Sequence, residues 1–124
     1  MSMGTHRNLM AWQEAMSLVR AVYSETSAYP GDERYGLVSQ TRRAAVSVPT
    51  NIAEGAGRNS TRELVQYLGI ASGSLAELET ELELAIMLKY LPENTQVLRQ
   101  VHRVARLLRA LRESIRRKVV NNEP

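Results

Sequence analysis

The sequence predicts an all-α fold, an antiparallel up-down-up-down four-helix bundle. Three observations predict it. Apolar residues recur at spacings of three and four in four separate stretches. Short segments rich in turn residues separate those stretches: Ala28-Tyr29-Pro30-Gly31-Asp32, Gly55-Ala56-Gly57 and Leu91-Pro92-Glu93-Asn94. The core residues are aliphatic, since Phe is absent and there is one Trp. Short links between amphipathic helices favour antiparallel neighbours. A chain of 124 residues is expected to form one domain, 1–124, long enough to bury a core without metal or disulfide staples.

The first stretch covers about residues 8–27. Trp12, Met16, Val19 and Tyr23 form its expected inner stripe, widened by Ala15, Leu18 and Val22. The second covers about 33–56, with Val38, Thr41, Ala45, Val48 and Ile52 inward. Pro49 lies inside it, lacks an N–H and crowds the carbonyl four residues back. The spacing predicts a kink near Ala45, or a break with Ser47 capping a new helix that starts at Pro49. Gly55 and Gly57 are expected to stop this helix. The third, about 60–90, opens with the capping box Ser60-Thr61-Arg62-Glu63. Leu64, Leu68, Ala71, Leu75, Leu78, Leu82 and Ala85 then form an uninterrupted heptad seam. Small residues at Gly69 and Ala71-Ser72-Gly73-Ser74 predict close approach of another helix. Off the seam, Ile70, Ile86 and Met87 suggest a subunit interface or a wider core face. The fourth stretch, about 95–119, turns Val97, Val101, Val104, Leu108, Leu111 and Ile115 inward, and a frayed tail is expected from Asn121 onward.

The sequence resembles a family of four-helix bundle proteins first noticed as products of intervening sequences in bacterial 23S rRNA genes. Accessory proteins of diversity-generating retroelements form a related branch. The resemblance is densest from Trp12 to Thr80. Its most specific part is Arg42-Arg43-Ala44-Ala45, Ser47-Val48-Pro49 and Asn51-Ile52-Ala53-Glu54-Gly55, supported by Tyr23, Pro30, Glu33, Leu37, Gln40, Arg58 and Glu77-Leu78-Glu79. Tyr29 stands where the family often has Phe, and the last helix matches only by pattern. The resemblance implies an antiparallel bundle assembled as a ring-like homopentamer with no established enzymatic activity. In the retroelement branch the barrel-like oligomer is basic and engages nucleic acid and a reverse transcriptase.

Composition narrows the chemistry. Cysteine is absent, so there is no disulfide framework, thiolate metal site or thiol nucleophile, which suits a reducing cytoplasm. The N-terminus shows no apolar run before a cleavage site, and no stretch approaches a membrane span. The histidines are His6 and His102, and neither belongs to a Glu-x-x-His pair of the kind that holds di-iron in bundles. Serines lack a neighbouring base, and no phosphate-binding glycine loop occurs. The expectation is a protein that is not an enzyme and takes no metal or cofactor.

Three charged sets remain. The first is the family-signature cluster Arg42, Arg43, Asn51, Glu54 and Arg58, which with Glu77 is expected to tie the second helix to the acidic part of the third; binding of a ligand or phosphate is the alternative. The second is Glu77, Glu79, Glu81 and Glu83, spread around the third helix rather than paired for catalysis. Glu77 and Glu81 flank the seam, within reach of arginines of the second helix or of a neighbouring subunit. The third is the basic last helix. Of the 16 basic residues 14 are Arg, and net charge is +3. Arg99, Arg103, Arg106 and Arg117 lie opposite the apolar stripe, with Arg109, Arg112 and Arg116 on its flank. This face either contacts a nucleic-acid backbone or pairs with glutamates of the third helix across a subunit boundary. Expected partners are therefore further copies of the chain, with RNA, DNA or another protein, and no membrane.

Overall fold

A computed structural model describes residues 6–121. It contains four α-helices: α1 Met10–Thr26, α2 Leu37–Ala56, α3 Thr61–Met87 and α4 Gln96–Asn121. Short 3-10 turns occupy His6–Asn8 and Gly31–Glu33, and no strand occurs among the described residues. The expectation of no leader at residues 1–5 and that of a frayed tail at 122–124 lie outside the described residues; Asn121 itself ends α4. Each helix packs against its neighbours in sequence, and α1 closes the ring against α4; the diagonal pairs make no backbone contact. Contacts run in opposite senses along neighbouring helices, as in adjacent antiparallel helices. Ser47 bonds to Ser74 while Gly55 sits beside Leu64 and Tyr67. Glu79 bonds to His102 while Gly69 sits beside Arg112.

The core lies along the bundle axis. Leu18 and Val22 of α1, Val48 and Ile52 of α2, Leu68, Leu78 and Leu82 of α3, and Val101, Val104 and Leu108 of α4 are all but fully buried. Each such side chain contributes about 1.5–3 kcal/mol relative to exposure. The α3 seam is buried at every one of its expected positions.

In α1 the inner face is rotated from the expected stripe. Ala11, Ala15, Leu18, Val22 and Thr26 are buried, whereas Met16 is 47% and Tyr23 42% exposed. Ala11 and Ala15 take the inner positions, while Trp12 and Val19 pack at the edge of the core and, with Met16, line a groove toward α2. On α3, Ile86 packs against the core, while Ile70 and Met87 are exposed, joined by Leu84 and Leu88.

The helix ends carry their own chemistry. α2 begins at Leu37 rather than Glu33, because residues 31–33 form a 3-10 turn and Gly36 leaves helical geometry at φ −110° and ψ −107°. Glu33 instead accepts the Leu37 N–H at 3.3 Å. α2 continues through Pro49 without a break. Gly57 caps it, its N–H donating to the Ala53 carbonyl. Ser60 caps α3 by accepting the Glu63 N–H at 3.3 Å. α3 stops at Met87 rather than Tyr90, because Lys89 takes a left-handed conformation at φ 68°. The Tyr90 N–H then donates to the Ala85 carbonyl at 2.8 Å and the Lys89 N–H to that of Ile86 at 3.0 Å, the pairing of a Schellman motif.

Candidate nucleic-acid interface

α4 is positioned by the stripe Val97, Val101, Val104, Leu108 and Ile115, all buried. That stripe turns most of the arginines outward. The structure divides them by what they touch. Arg99 folds back on the start of the helix, donating to the Asn94 carbonyl and to Gln96 Oε1, each at 2.8 Å. Arg103 pairs with Glu14 of α1. Arg116 stands 4.0 Å from Glu113, and Arg112 is half-buried with its guanidinium over Gly69. Arg106, Arg109 and Arg117 are exposed and have neither ion-pair nor hydrogen-bond partner among the described residues. Among the described residues, no arginine of α4 pairs with a glutamate of α3; Glu79 is taken by His102 at 2.9 Å.

The family-signature cluster is not one site. Arg42 reaches α1, where Nε donates to Thr26 Oγ1 at 2.9 Å and Nη2 to the Tyr23 carbonyl at 3.2 Å, with the guanidinium 4.5 Å from the Tyr23 ring centroid. Thr26 is able to serve because it is buried and donates its own proton to the Val22 carbonyl. Arg43 is exposed, touching Ser39 of its own helix. Asn51 donates to the carbonyl and hydroxyl of Ser47, and that hydroxyl bonds Ser74 at 2.7 Å, linking α2 to α3. Arg58 forms a third group. It pairs with Glu54 at 3.0 Å, donates to the Tyr67 hydroxyl at 2.7 Å and stands 4.0 Å from Glu63. The tie from α2 to α3 therefore runs to the beginning and middle of α3, not to its acidic part.

That acidic part holds a feature the periodicity did not reveal. Glu81 is buried, 5% exposed, and its Oε1 has no hydrogen-bond partner among the described residues. Burial first, then the charge and hydrogen bond of Glu77, push its carboxyl up to about 7. Glu81 lies two turns beyond Ser74, on the side of α3 that meets α2. Its position next to the seam was the available signal; the alternation of glutamates masked it. No group of His, Asp and Glu with metal-holding geometry occurs among the described residues.

Two concavities follow the α1–α2 face. One, of about 600 Å³, is apolar and walled by Trp12, Met16, Val19, Val46 and Pro49. The other, of about 880 Å³, lies where the α1–α2 turn meets α2 and is lined by Arg34, Arg42, Arg43 and several tyrosines. Arg34 and Tyr35 were not expected at a site, because only the 3-10 turn brings them beside α2. Glu33 and Tyr90 were likewise missed as a pair: the Tyr90 hydroxyl donates to Glu33 Oε2 at 3.0 Å, fastening the α3–α4 turn to the start of α2.

No helix is long and apolar enough to cross a membrane among the described residues. A family model described as 23S rRNA-intervening sequence protein matches residues 7–110, which takes in α1, α2 and α3 and reaches Ala110 of α4. Comparison with curated proteins gives no match.

Proposed function

The chain belongs to the 23S rRNA-intervening sequence protein family, and from that premise we propose that it is a non-catalytic, self-associating bundle that binds the phosphate backbone of RNA or DNA through the outer face of α4. One observation carries the reading: Arg106, Arg109 and Arg117 are exposed without an acidic partner among the described residues. Guanidinium forks suit phosphate oxygens. Repetition of the face around a homopentamer would sum its potential and draw in a polyanion. α4 carries no aromatic residue, so contact is with the backbone and not by base stacking. The absence of cysteine supports a cytoplasmic setting.

The test is fluorescence anisotropy with a short RNA or DNA duplex across a salt series. The triple variant Arg106→Glu, Arg109→Glu and Arg117→Glu is expected to abolish binding while the mass by light scattering stays that of the wild type. For the wild type, log affinity should fall with log salt by about 0.9 per phosphate contacted. Affinity indifferent to salt, or unchanged in the triple variant, overturns the reading. The second reading is a protein-interaction scaffold with no nucleic-acid binding. Exposed Met16, Val46, Ile70 and Met87 favour it. A wild-type oligomer that ignores both duplexes at low salt would select it.

A further inference from the structure

The larger concavity on the α1–α2 face has the chemistry of an anion site. Three guanidinium groups line it, from Arg34, Arg42 and Arg43, and no carboxylate does. Glu33, on the adjoining turn, is engaged by the Leu37 N–H and the Tyr90 hydroxyl. Arg42 is fixed in place by Thr26 and Tyr23, so one cation is preorganised. The Arg34 guanidinium has no hydrogen-bond or ion-pair partner among the described residues, and that of Arg43 bonds only to Ser39 at 3.4 Å. Three cations line the cleft while the nearest carboxylates, Glu25, Asp32 and Glu33, stand outside its wall, so the cations repel one another and bias the cleft toward positive potential. A dianion with several oxygens relieves that repulsion and meets the guanidinium forks.

Aromatic groups stand beside the cations. Tyr35 is 89% exposed and Tyr23 42%, and both line the same concavity. Exposed tyrosine rings offer faces on which a base can stack. Tyr29, also in the wall, is 7% exposed and its hydroxyl is buried with no hydrogen-bond partner among the described residues. A buried, unpaired hydroxyl is unusual in a finished site. The volume, about 880 Å³, is within the range of small-molecule pockets.

We propose that this concavity binds the phosphate of a nucleotide, with Arg34, Arg42 and Arg43 on the phosphate and Tyr35 against the base. The phosphate belongs either to a free nucleotide or to the 5′ end of a strand. The site is separate from the α4 face and does not depend on it.

The test is a titration of the full chain followed by NMR of backbone amides and arginine Nε–H groups. The probes are AMP, adenosine, inorganic phosphate, and a short single strand with and without a 5′-phosphate. AMP is expected to shift Arg34, Arg42, Arg43 and Tyr35, and adenosine to bind at least about tenfold more weakly, as loss of charge-assisted hydrogen bonds requires. Arg34→Ala and Arg43→Ala, which remove no tertiary contact, should each weaken AMP about tenfold. Tyr35→Ala should weaken AMP and leave inorganic phosphate unchanged. Binding of the 5′-phosphorylated strand alone would support the site and identify the strand end as its source. The triple glutamate variant of α4 should bind AMP as the wild type does, so the two readings can fail separately. No shift at these residues with millimolar AMP or with either strand overturns the proposal, as does an unchanged affinity in both arginine variants.

Discussion

Glu81 is the residue whose environment most opposes its charge. It is 5% exposed, beside another carboxylate, with no cation paired to it among the described residues. Removing a carboxylate from water without a partner is costly, and the group keeps its proton instead. Folding moves its pKa from the ordinary 4.5 to about 7. The folded state therefore holds a proton that the unfolded chain releases in that window. Stability contributed at this position falls as pH rises from about 4.5 to about 7 and is level beyond it. Glutamine imitates the protonated acid, so Glu81→Gln should stabilise the protein at pH 8 by about 1–3 kcal/mol and change it little at pH 4.5. Urea unfolding of both proteins at the two pH values checks this. An equal effect at both would show that folding does not shift the titration of Glu81 and would contradict this account. Tyr29 is the counterpart at the other end of the scale: burial, with the nearby Glu25 charge, pushes its hydroxyl up to about 12, so it remains a neutral donor in the wall of the larger concavity.

At the scale of elements, two glycines separate contact between helices from contact with a side chain. Gly55 reads from sequence as a helix stop, yet it is inside α2 and buried against α3. A Cβ there would meet Tyr67 Cβ at 2.7 Å and Leu64 Cδ1 at 3.1 Å. Both atoms belong to a packed helix, so the helices must separate to admit it. Gly55→Ala should cost about 1–3 kcal/mol. Gly69 reads as a place for close helix approach, but its neighbour is the far end of Arg112, 2.9 Å from an added Cβ. That long side chain can swing aside, and alanine is the better helix former by up to about 1 kcal/mol. Gly69→Ala should therefore be neutral or stabilising. Thermal unfolding of the two variants checks the contrast; equal losses would contradict it. Pro49 shows another compensation. It removes one backbone bond from α2 while its ring helps wall the apolar α1–α2 groove. Nearby side chains bond back to the helix, Thr50 to the Val46 carbonyl and Asn51 to that of Ser47.

For the molecule as a whole, apolar side chains remain outside a filled core. Met16 and Val46 face the α1–α2 groove, while Ile70, Leu84, Met87 and Leu88 lie on the outside of α3. Apolar surface of this kind, repeated on a small bundle, is the expected source of self-association. Light scattering of the wild type should give a multiple of the 13.9 kDa chain mass, five under the pentamer proposal. Met16→Glu with Val46→Glu should lower that multiple while circular dichroism keeps its helical signal. A wild-type monomer would remove the oligomer from the proposed function, and with it the summed potential that strengthens the α4 face.

Periodicity alone determined the fold class, the four helices and the buried α3 seam, because a run of Leu and Ala at heptad spacing has one way to leave water. Local chemistry likewise determined the Ser60 cap. Those features depend on residues a few positions apart. Tertiary structure decided the rest. It rotated α1 so that Ala11, Ala15, Leu18 and Val22 centre on the core, Trp12 and Val19 pack at its edge, and Met16 and Tyr23 turn outward. It divided Arg42, Asn51 and Arg58 among three separate contacts, although they share one signature and the first two share one helix. It buried Glu81 and left Arg106, Arg109 and Arg117 outside. Each of these outcomes depends on which residues distant in sequence arrive opposite one another, and one strand of letters carries no record of that register.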